Sequence, residues 1–375
     1  MKRSATIIRI SAMAVMCVLL LCTVCLVPPL SKEKDEPDPT PTLQNYVAVS
    51  GDALSVVDTA DNNYSYSELT SDLSILSERY GDKMSYSSIG TSLDGRSIYA
   101  VSLGSPDAEK QIIVSAGIHA REYLTPMLVM KQLELCLYNY DTAAYGDIPL
   151  SEIFEKYRFC ILPMCNPDGI TMAQFGLDSL NSEELKSTVR SIYQSDKSLG
   201  LTSDPIDKYL TYWKANARGV DLNRNFDTKD WEGLQKVTLP SYINYKGETP
   251  LSEPESKAMA DYVSSLSSPV ASLAIHSQGE IIYFDCGQDN KQASLDLART
   301  TKELCGYKII YEPRQDAAFE DFCALNKGIP SITVETGNYL VTAPIPKGEF
   351  DKIWNDCRDL WLHVAVSDMN KDYGD

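Results

Sequence analysis

The chain has 375 residues, 43% of them hydrophobic and 23% charged, which excludes wholesale disorder. At about 150 residues per domain, this length suits one large domain with appendages or two to three smaller ones. The formal charge of −18 argues against polyanionic partners, so no nucleic-acid ligand is expected.

Lys2, Arg3 and Arg9 precede residues 10–31, a stretch of 22 residues without a charge. Such a run is long enough to cross a hydrocarbon core of about 30 Å as a helix, and it exceeds the signal-peptide apolar region of about 7–15 residues. The basic flank puts the N-terminus in the cytoplasm and the body outside. Residues 1–31 are therefore expected to be a signal-anchor, with a cleaved signal peptide as the alternative. Either way the body is extracytoplasmic, membrane-anchored or secreted. Residues 32–62 read as an acidic, Pro-rich linker and an irregular lead-in, with ordered chain expected from about Tyr64.

Ser65-x-x-Glu68 forms a capping box before Leu69, Leu73, Leu76 and Tyr80 at helical spacing. Short apolar runs then alternate with helical patterns. Strands are expected at 97–103, 111–116, 157–164, 271–276, 281–284 and 331–335, and helices at 126–138, 254–266, 292–304 and 350–366. Ile112-Ile113-Val114 is unalternating, as a strand buried on both faces is. Residues 178–210 are polar and read as an insertion at a rim. The pattern gives an α/β fold: one domain over residues 63–368, with a central mixed, mostly parallel β-sheet flanked by helices. Seven cysteines lie outside the N-terminal segment, so at least one thiol is unpaired, and buried thiols are the expectation for most. The protein is expected to be a monomer.

Only three histidines occur. His363 sits in the last helical pattern and reads as structural. His119 and His276 each follow a predicted strand, where open α/β sheets place their sites. His119-Ala120-Arg121-Glu122 brings an imidazole and a carboxylate to one side of a turn, and His276 supplies a third donor. Two His and one Glu suit a catalytic zinc with one position left open. A lone His-x-x-Glu is weak, but it has company. Gly219 to Phe226 sets Asn223 and Arg224 side by side as a grip for a carboxylate. The strand at 331–335 ends in Glu335, a carboxylate that needs a partner if buried.

With these pieces in order, the chain resembles the zinc metallocarboxypeptidase family, that of carboxypeptidase A. The resemblance rests on Tyr64-Ser65-Tyr66, Ile89-Gly90-Thr91-Ser92 with Gly95-Arg96, and Gly117 to Glu122. It continues through Asn166-Pro167-Asp168-Gly169, Gly219 to Phe226, Ala274-Ile275-His276-Ser277 and Val334-Glu335-Thr336-Gly337. Trp213-Lys214-Ala215-Asn216 and His276-Ser277-Gln278-Gly279-Glu280-Ile281-Ile282-Tyr283 resemble a bacterial branch that includes peptidoglycan endopeptidases cutting γ-D-glutamyl–diamino acid bonds.

The resemblance implies one zinc held by His119, Glu122 and His276, and Glu335 as general base. It implies Asn223 and Arg224 as the clamp on the released residue's carboxylate, Arg218 as the cation that meets the oxyanion, and Tyr311 as a tyrosine closing over substrate. Glu320 aligns with the specificity-pocket floor, so the released residue is expected to carry an amine, with Arg314 in the same loop available to a second carboxylate. The segment 316–322 departs from the family's usual Gly-Gly there. Arg121 is expected to pair with a nearby carboxylate, and Arg96 is either a surface strand residue or a structural one. Asn166-Pro167-Asp168-Gly169 reads as a turn without chemistry, and Tyr283 either lines the pocket or fills the core. Three functions follow: a zinc peptidase trimming peptidoglycan stem peptides, a secreted carboxypeptidase of ordinary peptides, and a non-catalytic binder of wall peptides.

Overall fold

The computed structural model describes residues 54–60, 63–229, 231–234, 237–338, 340–341 and 343–372. The expected signal-anchor and the Pro-rich linker lie outside them, and no described helix is long and apolar enough to cross a membrane. The described strands of the main sheet are β1 (Met84–Thr91), β2 (Ser97–Leu103), β3 (Lys110–Ala116), β4 (Tyr157–Leu162), β5 (Pro269–Ser277), β6 (Ile281–Tyr283), β7 (Lys308–Ile310) and β8 (Ser331–Thr336). They lie in the order β1-β2-β4-β3-β5-β8-β6-β7. β4, β3, β5 and β8 are mutually parallel, as are β6 and β7, while β1, β2 and the β8–β6 pair join antiparallel. The sheet is thus mixed and mostly parallel.

Ile112 and Val114 enter one apolar layer and Ile113 the other, all fully buried. Successive side chains of one strand therefore need cover on both faces. One layer is supplied by α1 (Tyr66–Tyr80), α2 (Leu124–Asn139), α3 (Lys291–Cys305), α4 (Phe350–Cys357) and α5 (Leu360–Asp372). The other comes from the helices Pro254–Ser265 and Phe319–Lys327, through Met259, Val263, Phe322 and Cys323.

The Ser65–Glu68 capping box forms in both directions, at 3.1 and 2.7 Å. The chain is ordered earlier than Tyr64, however. The N–H groups of Ser55, Val56 and Val57 donate to the buried Glu134 carboxylate of α2 at 2.8, 2.7 and 3.1 Å. The expected single helix over 350–366 is two. A turn at Arg358-Asp359 separates them, with Arg358 Nε donating to Asp359 Oδ2 at 3.0 Å. The polar stretch 178–210 contains an amphipathic helix, Glu183–Ser198, whose Leu185, Val189, Ile192 and Tyr193 form a satellite cluster with Tyr209 and Trp213. The seven cysteines outside the N-terminal segment are all free thiols, six of them buried.

Candidate active site

Three parallel neighbours, β3, β5 and β8, end on the same edge of the sheet. Beyond β3, Gly117 turns the chain at φ +63°, where a Cβ would strike Pro126 and Ile170. Its N–H donates to Thr125 Oγ1 at 3.0 Å, and the turn delivers His119 and Glu122. Asn166 fixes this turn from behind. Its Nδ2 donates to the carbonyls of Ile118 and Ala215 at 3.1 and 3.0 Å, joining the His119 loop to the segment that carries Lys214. The Asn-Pro-Asp-Gly motif is thus more than a turn, because its asparagine ties two loops of the site together. His276 on β5 and Glu335 on β8 are register partners, so they stand side by side on one edge.

His119, Glu122 and His276 are buried and converge. His119 Nδ1 lies 2.8 Å from Glu122 Oε1, and His276 Nδ1 lies 3.1 Å from Glu122 Oε2 and 3.2 Å from His119 Nδ1. A zinc tetrahedron with bonds of about 2.0–2.2 Å has edges of about 3.3–3.6 Å, so these two imidazole nitrogens and the carboxylate need to spread by only a few tenths of an ångström to hold the ion. The triad is suited to binding one zinc. His119 Nε2 on the far side of the ring faces buried Asp221 Oδ1 at 3.4 Å, without a formed hydrogen bond, on the side from which a carboxylate can orient a ligating imidazole.

Burial pushes the Glu122 carboxyl up, but the charges and hydrogen bonds of His119 and His276 outweigh it and hold it well below the usual range. Asp221 follows the same pattern: burial raises it, and His119, Arg224 and Lys214 more than reverse that. Burial would lower the His276 imidazole, yet Glu122 lifts it above its ordinary value. At Glu335 burial wins, and the carboxyl is raised despite His276, Lys214 and Arg314 nearby.

The cation facing this cluster is not Arg218. The Arg218 guanidinium is bound to Glu253, with Nε at 3.2 Å and Nη2 at 2.9 Å, and its side chain is 45% exposed. Glu253 is almost wholly buried and captures it. Lys214 faces the cluster instead, with Nζ 3.9 Å from Glu122 Oε1. Burial lowers its ammonium, and Glu122, Asp221 and Glu335 partly offset that. Sequence reasoning missed both Lys214 and Asp221, although each lies inside a motif that carries the resemblance.

Asn223 and Arg224 are buried in a single 3-10 turn capped by Asp221. Asn223 Oδ1 accepts from the Phe319 N–H at 3.0 Å, and its Nδ2 lies 3.4 Å from Glu320 Oε1. Arg224 Nη1 donates to the Asn223 carbonyl at 2.6 Å, and Nη2 lies 3.4 Å from Asp316. Tyr311 is exposed just past β7, its ring edge-on to Phe284 at 5.7 Å. Tyr283 lines the adjoining pocket beside Glu320. Arg96 pairs with Asp94 and Asp168, at 2.6 and 2.8 Å. Arg121 has no carboxylate partner among the described residues, and its Nε is buried without one, contrary to the expected pairing. His363 is structural, with Nδ1 2.9 Å from the Tyr145 hydroxyl.

Residues 69–337 match the family described as zinc carboxypeptidase. The chain is 28% identical over 304 residues to gamma-D-glutamyl-L-diamino acid endopeptidase 1 of Lysinibacillus sphaericus, covering 80% of this chain and 72% of that protein. It is 29% identical over 212 residues to carboxypeptidase B of Bos taurus, covering 56% of this chain and 44% of that protein. The structure of bovine thrombin-activatable fibrinolysis inhibitor in complex with tick carboxypeptidase inhibitor has the same fold. That likeness has a TM-score of 0.63 at 21% identity, over 84% of this chain and 99% of that one.

Proposed function

Because the chain belongs to the zinc carboxypeptidase family and is a metallopeptidase, we propose that it cuts an amide bond beside a residue with a free carboxylate in peptidoglycan stem peptides, of the γ-D-glutamyl–diamino acid type. The observation that carries the chemistry is the convergence of His119, Glu122 and His276 beside Glu335. The likeness to the Lysinibacillus endopeptidase supports the substrate class.

Bound zinc supplies a Lewis acid that polarises the scissile carbonyl and acidifies water. Glu335 takes the proton of the attacking water and returns it to the leaving amine. Its place beside His276 on the neighbouring parallel strand suits a group that must carry a proton between two steps. Lys214 places a buried ammonium toward the oxygen on which negative charge develops. Asn223 and Arg224 hold the free carboxylate of the released residue, and Tyr311, exposed at the rim, closes over it.

On this reading residues 1–31 anchor the protein, the Pro-rich residues 32–42 space it from the membrane, and the body, which includes the docked residues 55–57, works outside the cytoplasm, where wall peptides are found. Likeness to bovine carboxypeptidase B favours ordinary peptides as a second reading. Digestion separates the two. The zinc-loaded protein is given L-Ala-γ-D-Glu-diaminopimelate and an α-linked peptide ending in the same residue, and products are identified by mass. Preferential cleavage of the γ-linked bond is expected. Cleavage of the α-linked peptide alone would overturn the stem-peptide assignment.

A further inference from the structure

One buried side chain, Asn216, holds together the segment that carries Lys214 and Asp221. Its Oδ1 accepts the N–H groups of Arg218 and Val220 at 3.0 and 3.1 Å. Its own N–H donates to the Val220 carbonyl at 2.8 Å, and its carbonyl accepts from Trp213 Nε1 at 3.0 Å. Residues 213–220 are therefore folded around this asparagine. Lys214, at one end, faces Glu122. Asp221, just past the other end, stands behind His119.

Asn216 Nδ2 in turn rests on two carboxyl groups at the start of the helix Pro254–Ser265, donating to Glu253 Oε2 at 2.7 Å and to Glu255 Oε2 at 3.4 Å. The two acids differ in their partners. Glu253 also holds the Arg218 guanidinium and the Ser252 hydroxyl. Glu255 is fully buried, its Oε1 has no partner, and no cation pairs with it among the described residues. Asp168 faces it from the helix Pro167–Phe175, already bonded to Arg96, to the Ser92 hydroxyl and to the Asp94 N–H. Asp94 shares the same Arg96. Asp94, Asp168 and Glu253 thus outnumber the guanidiniums of Arg96 and Arg218 before Glu255 is counted. A further buried negative charge has nothing to offset it. Burial first, and then Asp168 and Glu253, push the Glu255 carboxyl up to about 8.

We propose that Glu255 is a positioning residue: as a neutral carboxyl under Asn216 it fixes residues 213–221, and with them Lys214 and Asp221, and loss of its proton to solvent releases them. Once Glu255 is charged, four acids share two guanidiniums in a space closed to water. Admitting water beneath Asn216 relieves that charge, and the bonds that shape 213–220 loosen with it. His119, Glu122 and His276 lie on other segments, so the metal site outlasts the loss of the ammonium beside it. The inference rests on the proposed peptidase reading, in which Lys214 meets the developing charge.

The test follows kcat, KM and zinc content of wild type, Glu255→Ala and Glu255→Gln from about pH 6 to about pH 9, on whichever of the γ-linked and α-linked peptides is cleaved. Glu255→Ala removes the support at every pH. It should lower kcat about 10²-fold, the cost of a misplacement of about 1 Å, while KM stays within about threefold and zinc stays at one per chain. Glu255→Gln keeps the neutral shape. It should restore most of the lost kcat near pH 6 and keep it to about pH 9, whereas wild type falls as pH rises through about 8. An alkaline fall shared by wild type and Glu255→Gln belongs to another group, Lys214 included, and overturns the inference. So does a Glu255→Ala protein as active as wild type. If Glu255→Ala does not fold, the comparison of wild type with Glu255→Gln decides alone. If no peptide is cleaved, the peptidase reading fails, and amide hydrogen exchange still judges the positioning. At about pH 9 the N–H groups of Lys214, Ala215 and Val220 should be about tenfold better protected in Glu255→Gln than in wild type, the ratio of ionised to neutral carboxyl about one unit above its pKa. Equal protection refutes it.

Discussion

Replacing Lys214 by Met removes an ammonium and keeps most of the side-chain volume. Lys214 Nζ lies 3.9 Å from Glu122 Oε1, and at an effective dielectric of about 20 two unit charges at that distance interact by about 4 kcal/mol. Part of this is already spent in the resting protein on Glu122, Asp221 and Glu335. What Met removes from catalysis is the cation near the developing oxyanion, and losing one such group typically costs about 2.7–4 kcal/mol, or 10²–10³ in kcat. Lys214 is not a metal ligand, so zinc content should hold at one per chain and KM should change by less than the fall in kcat. Arg218→Gln is the matched comparison. It strands the buried Glu253 carboxylate, so it should lower the unfolding midpoint while kcat stays near wild type. Steady-state kinetics with metal analysis decide the matter. Lys214→Met within threefold of wild type, or Arg218→Gln the more damaging in kcat, would refute the assignment.

His276→Ala removes one of three converging donors and should lose bound zinc and turnover together; full zinc on the purified variant would contradict the triad. Glu255 is pushed up to about 8, first by burial and then by Asp168 and the other acids near it. The folded chain therefore keeps a proton that the unfolded chain releases near 4.5, so this group's contribution is complete below that pH and is lost as pH rises through about 8. Glu255→Gln should gain about 3–5 kcal/mol on wild type between pH 5 and pH 9 in denaturant melts, and parallel stability curves would show that the carboxyl ionises freely. Protease added to intact cells should release a soluble domain by cutting within residues 32–42, whereas a mature chain beginning after Cys25 would show a cleaved signal.

The buried parallel strands were legible because runs such as Ile112-Ile113-Val114 have no polar face to hide. The edge strands β1 and β7 were not: β1 is largely polar and half-exposed, and β7 has three residues. His119 and His276 stood out because histidine is scarce and both follow strands. Lys214 did not, since a lysine before a loop reads as a solvated side chain. Only the fold brings it to Glu122, 92 positions earlier in the sequence. Arg218 was misplaced. Its role came from the resemblance alone, and Glu253, 35 residues further on, takes its guanidinium. Docking of residues 55–57 depends on a carboxylate 77 to 79 positions away, which no local pattern reports.

Glu335→Gln separates the zinc triad from the carboxylate that serves as base beside it. The substitution keeps the shape of the side chain beside His276 but cannot take a proton. Zinc content and kcat of wild type and variant are measured on the same γ-D-glutamyl peptide. Both proteins should hold one zinc per chain, and kcat should be lower by about 10²–10⁴ in the variant. A variant that turns over within a few-fold of wild type, or that fails only because its zinc is gone, would contradict that separation of roles.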